Sequence, residues 1–148
     1  YDTIKIYIMR NYKSKIIIPD NLLNQSIGKI GEDIFEIWYK RNFENEELHK
    51  QLQDREYNQI DFADWKGYTY QVKTTSEKTY TFNCLIDKLN EHLNADYYIL
   101  IQLNIKERIA YVEDVYNKDY IKLNIKASFK YNNCFIWKKD LKQNKLEL

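Results

Sequence analysis

Residues 60–75 read IDFADWKGYTYQVKTT, and their alternation decides the fold. Trp65-Lys66-Gly67 reads as a short connection between two strand-like runs. In the second run Tyr68, Tyr70, Val72 and Thr74 project one way, and Thr69, Gln71 and Lys73 the other. With those three residues as the loop, Asp64 pairs with Tyr68 and Asp61 falls opposite Gln71. Directly opposed residues have Cβ atoms about 4.5–5.5 Å apart. The hairpin therefore gathers Asp61, Gln71 and Lys73 on one face, and a slip of one residue would scatter them.

On the N-terminal side, Ser26 is placed to cap a helix running to about Phe43, with Ile27, Ile30, Ile34 and Trp38 forming its apolar stripe. Before it, Ile4, Ile6 and Ile8 alternate with Lys5, Tyr7 and Met9, and KSKIIIP (13–19) reads as a second strand. Residues 44–58 are polar and acidic, fitting a solvated helix or a loop. On the C-terminal side, TFNCLIDKLNEHLN (81–94) has apolar residues at helical spacing. DYYILIQLN (96–104) is a near-continuous apolar run, as in a strand covered on both faces. RIAYVEDV (108–115) pairs back, and YIKLNI (120–125) and NCFIW (133–137) are further strand candidates. With no repeat or linker, 148 residues make one α/β domain over 1–148: a mixed sheet flanked by helices.

Composition narrows the classes. No apolar run approaches the roughly 20 residues of a membrane span, and YDTIKIYIMR lacks a secretion-signal layout. Cys84 and Cys134 stand apart, outside any CxxC pair, and read as free thiols of a cytoplasmic protein. Net charge is +1, but residues 118–148 carry eight lysines against three acids, a surface suited to phosphates or simply to water. His49 and His92 are isolated and read as surface residues. Asp33 and Glu36 read as compensation of the helix dipole.

A carboxylate and an amide oxygen are hard ligands suited to Mg²⁺ with waters and phosphate oxygens. A lysine beside them can orient or deprotonate a water. The ordinary alternative is a surface hairpin with solvated polar residues. Asp61…Gln71-Val72-Lys73 resembles the D…(D/E/Q)xK signature of the PD-(D/E)xK nuclease superfamily. GKIGE, Gly28–Glu32, is similar to the GxxGE box that many members carry on the preceding helix. The resemblance spans roughly Ile27–Tyr111. It implies a restriction-endonuclease-like fold and a DNA endonuclease using Mg²⁺, with Mn²⁺ as a substitute. It further implies Asp61 as the main metal ligand, Gln71 and the Val72 carbonyl as further ligands, and Glu32 as a second acidic residue on the metal or its water. Lys73 would be the catalytic lysine, Thr74 and Thr75 phosphate contacts. Lys29, Lys138 and Lys139 would meet the DNA backbone. Cutting both strands implies a homodimer or larger assembly. Two departures stand out: Ile60 replaces the usual proline, and Gln71 removes one negative charge, a replacement tolerated in some restriction and homing enzymes.

IGKIGEDIFEI (27–37) is also similar to the I-G-x-x-G segment of a KH domain, in which a GxxG loop clamps single-stranded nucleic acid without catalysis. That alternative gives no joint role to Asp61, Gln71 and Lys73.

Overall fold

A computed structural model describes residues 14–44, 46–50 and 60–141. The strand expected over Ile4–Met9 lies outside these residues, as does 51–59 of the polar stretch. In chain order the elements are β1 Ser14–Ile17, α1 Ile27–Asn42, β2 Leu48–Lys50, β3 Phe62–Asp64, β4 Thr69–Thr75 and β5 Thr79–Phe82. Then follow α2 Leu89–His92, β6 Tyr97–Asn104, β7 Ile109–Asn117, α3 Lys118–Asn124, β8 Lys126–Ser128 and β9 Asn133–Trp137. The protein is mixed α/β.

Six strands form a mixed sheet in the order β1-β7-β6-β4-β3-β2. Its pairs are antiparallel except β4 with β6, where Tyr70 lies against Tyr97 and Lys73 against Leu100. A parallel pair needs a crossover connection, and here 76–96 supplies it, carrying β5 and α2. Strands β5, β9 and β8 form a second, antiparallel sheet.

Each face of the main sheet has its own apolar layer. Ser26 caps α1, its hydroxyl accepting the Lys29 N–H at 3.3 Å. The helix buries Ile30, Ile34, Phe35, Trp38 and Tyr39 against Phe62, Tyr70, Val72, Ile99 and Ile101. Phe35 is central, its ring 5.4 Å from Phe62 and 5.7 Å from Tyr70. Its full burial is worth about 1.5–3 kcal/mol. On the opposite face Tyr98 and Leu100 pack with Tyr80, Phe82, Cys134 and Ile136 from the small sheet. Gln71 and Lys73 point toward this second layer, since β4 alternates.

Three expectations are corrected. Residues 48–50 of the polar stretch, expected in a solvated helix or a loop, form β2 at the edge of the main sheet. Residues 81–94 are not one helix: Phe82 ends β5 opposite Cys134, and only Leu89–His92 is α-helical after a 3₁₀ turn at Ile86–Lys88. Leu85 and Ile86 are exposed, so the supposed apolar stripe is broken. Tyr120–Asn124 belongs to α3, which the extended Ile125 ends, and Asn117 caps its first turn by accepting the Tyr120 N–H at 2.9 Å. Ile121 is buried there, and the Tyr116 and Tyr120 rings stack 4.2 Å apart. Among the described residues no helix is long and apolar enough to cross a membrane.

Candidate active site

The turn that sets the hairpin register is built around Asp64. Its Oδ1 accepts the Lys66 and Tyr68 N–H groups at 3.0 Å each, and its Oδ2 accepts the Tyr70 hydroxyl at 2.8 Å. Gly67 has φ +89°, a conformation that suits glycine. The Asp64 N–H donates to the Tyr68 carbonyl at 2.9 Å, and Phe62 lies against Tyr70. This is the register read from the sequence with Trp65-Lys66-Gly67 as the loop. The role of Asp64 was not legible beforehand, although an aspartate before a Gly-containing turn is the signal for it.

Asp61 stands at the start of β3, where Phe62 turns to the α1 layer and Asp61 to the other face. Its N–H donates to the Tyr70 carbonyl at 2.9 Å, and its Oδ2 accepts the Val72 N–H at 2.7 Å. The carboxylate is therefore fixed to β4, between Gln71 and Lys73. Asp61 and Gln71 are 6% and 3% exposed. Lys73 is partly buried, and its ammonium lies 4.9 Å from the centre of the Phe82 ring. Burial lowers the Lys73 pKa below the ordinary lysine value, while the Asp61 carboxylate and, less strongly, Cys84 pull it back up. The Asp61 carboxylate and the Lys73 amine thus interact on one side of the sheet.

Three neighbours of Lys73 were not anticipated. Phe82 comes from β5, Cys84 from the bend after it, and His92 from the end of α2. His92 is half-buried rather than a surface residue. Its Nε2 is buried and makes no hydrogen bond among the described residues. Burial, with Lys73 adding to it, lowers the His92 pKa below its usual value. Cys84 sits against Cys134, and burial pushes its thiol up to about 11.

The remaining candidates are distributed more widely. Glu32 belongs to the helix layer, where burial raises its pKa while Lys50 and Lys29 oppose the rise. Lys50 lies against Phe62 across the β2–β3 pair, so Glu32 stands near the sheet corner from which Asp61 emerges. Lys29 is tied to Asp33 at 3.1 Å, and Lys40 to Glu36 at 3.1 Å. Thr74 faces α1, where a Cβ on Gly31 would fall 1.7 Å from its Oγ1. It is turned away from Lys73. Thr75 shares the Lys73 face, and its hydroxyl accepts the Glu77 N–H at 3.0 Å. Lys138 pairs with Glu113 at 3.2 Å, and Lys139 lies over Trp137; both follow β9, beyond the Ser76 end of β4. Gly28 through Gly31 form the first turn of α1, not the loop between helices that a KH-like reading requires.

Asp61 and Gln71 put one carboxylate and one amide on the Lys73 face of the β3–β4 pair. No group of three or more His, Cys, Asp or Glu side chains is arranged to hold a metal among the described residues. One carboxylate with one amide oxygen nevertheless fits Mg²⁺, which keeps several waters and takes substrate phosphate oxygens. No protein-family model matches the chain, and comparison with curated proteins gives no match.

Proposed function

We propose that the protein is a divalent-metal-dependent DNA endonuclease of restriction-endonuclease-like fold, acting as a homodimer or larger homo-oligomer. The observation that carries this reading is that the Asp61 carboxylate is held to β4 by the Val72 N–H, across β3–β4 from Gln71 and on the face that carries Lys73, within range of its charge. The element order α1-β2-β3-β4 followed by the parallel strand β6 supports it. Asp61 and Gln71 would hold the metal, with the Val72 carbonyl as a further ligand. Bound Mg²⁺ supplies Lewis acidity and lowers the pKa of its water.

The chain's own residues do the rest. The Val72 N–H holds the Asp61 carboxylate in one orientation, so its position is set before substrate arrives. Burial lowers the Lys73 pKa, so its ammonium gives up a proton more readily than a surface lysine does and would exchange one with the attacking water. Water oxygen bonds to phosphorus, the ester P–O bond breaks, and the sugar hydroxyl leaves with a proton. Glu32, whose pKa burial raises against the pull of Lys50 and Lys29, would serve as a second acidic group.

The test is cleavage of supercoiled plasmid, a four-way junction and single-stranded DNA, each with Mg²⁺, Mn²⁺ or EDTA. Metal-dependent cutting of one substrate is expected. Equal cutting in EDTA, or none of any substrate with either metal, would refute the reading.

A further inference from the structure

The inner face of the small sheet is fully used, with Tyr80, Phe82, Cys134 and Ile136 buried against the main sheet. Its outer face is not. The register puts Trp137 beside Thr79 and Phe135 between Thr81 and Lys126, all on the outer side. Phe135 and Trp137 meet edge to face, 5.5 Å apart. With Tyr131 they line an open groove of 460 Å³ whose other walls are small polar side chains. At its margin Phe129 and Tyr131 are 95% and 67% exposed. Aromatic rings left in water cost free energy unless something covers them.

The charge around the groove states what the cover is. Lys139 lies 5.2 Å over the Trp137 ring and Lys130 5.2 Å over Tyr131. Neither makes a salt bridge among the described residues. Lys78 and Lys139 line a second groove of 720 Å³ that shares Trp137. The acids nearby are mostly spoken for, Asp140 by Lys126 at 3.7 Å and Glu113 by Lys138 at 3.2 Å. Glu77, on the second groove, is the exception. Open aromatic rings spaced along a strand and flanked by cations match unpaired bases stacking while phosphates meet lysines. A duplex, whose bases are already stacked on each other, would leave the rings uncovered.

We infer that the outer face of β5-β9-β8 is a binding site for single-stranded nucleic acid, with Trp137, Phe135 and Tyr131 as base platforms and Lys130 and Lys139 as phosphate contacts. The site is separated from Lys73 by the thickness of the small sheet. Its occupancy requires no metal and does not depend on the nuclease reading.

The experiment is fluorescence anisotropy in EDTA with labelled dT20, rU20 and a 20-base-pair duplex. At least one single strand is expected to bind more tightly than the duplex, and comparing dT20 with rU20 shows which sugar the face accepts. Trp137→Ala and the exposed-site variant Tyr131→Ala should each weaken that binding about tenfold. Lys130→Gln with Lys139→Gln should flatten the slope of log affinity against log salt by about 1.4. Lys40→Gln, on α1 and paired with Glu36, should leave that slope unchanged. Circular dichroism and melting confirm that each variant is folded. Duplex preferred over both single strands, no binding of either, or unchanged affinity in folded Trp137→Ala and Tyr131→Ala would overturn the inference.

Discussion

The two glycines of GKIGE make opposite demands, and substituting each by alanine separates them. A Cβ on Gly31 would lie 1.7 Å from Thr74 Oγ1, 2.7 Å from its Cβ and 2.8 Å from its Cγ2. A rotamer change removes only the first conflict, because Thr74 Cβ is fixed to β4. Helix α1 must then lift from the sheet across a layer that includes Phe35, Phe62 and Tyr70. Overpacking of this kind costs about 1–3 kcal/mol, and alanine's better helix propensity returns up to about 1 kcal/mol. A Cβ on Gly28 meets nothing within 4 Å, so only the propensity term acts there. Thermal unfolding followed by circular dichroism should show Gly31→Ala melting about 2–6 °C below wild type and Gly28→Ala level or slightly above it. Thr74→Gly should abolish the penalty of Gly31→Ala in a double-mutant cycle, since it removes all three clashing atoms. If Gly31→Ala is as stable as Gly28→Ala, the packing of α1 on β4 is wrong, and with it the side of the sheet assigned to Glu32.

Other consequences can be checked separately. Asp64→Ala strands the Lys66 and Tyr68 N–H groups and the buried Tyr70 hydroxyl, at a cost of about 3 kcal/mol in urea unfolding. The His92 imidazole should titrate below the usual histidine value by proton NMR, and Lys73→Met should move it back up by removing a neighbouring charge. Its folded pKa is depressed, so the unfolded chain binds more protons in the window just below 6.5. Wild type should therefore lose more melting temperature between pH 7 and pH 5 than His92→Gln does.

Much of this arrangement was legible because it is local. Gly67 and the residues around it specify a turn, the turn fixes the register, and the register sets Asp61 against Gln71. Ser26 and the Ile30–Ile34–Trp38 stripe mark α1 in the same way. Segment 81–94 failed because its fate is decided fifty residues later, where Cys134 pairs with Phe82. No periodicity within the segment carries that information. The error hid Phe82, Cys84 and His92 from the neighbourhood of Lys73. Residues 120–125 failed for the opposite reason: their isoleucines favour a strand, but Asn117 caps a helix and Ile121 finds a buried site. Glu32 was readable as a candidate, yet its charged neighbours Lys50 and Lys29 follow only from the packing of α1 beside β2.

Single-turnover cleavage of metal-loaded, DNA-saturated protein tests the central claim most directly. Asp61→Ala and Lys73→Ala should each slow strand scission at least a hundredfold with DNA affinity and melting behaviour retained, and the double variant should be little worse than either. Cutting by both single variants at the wild-type rate would show that these two side chains are structural neighbours and nothing more.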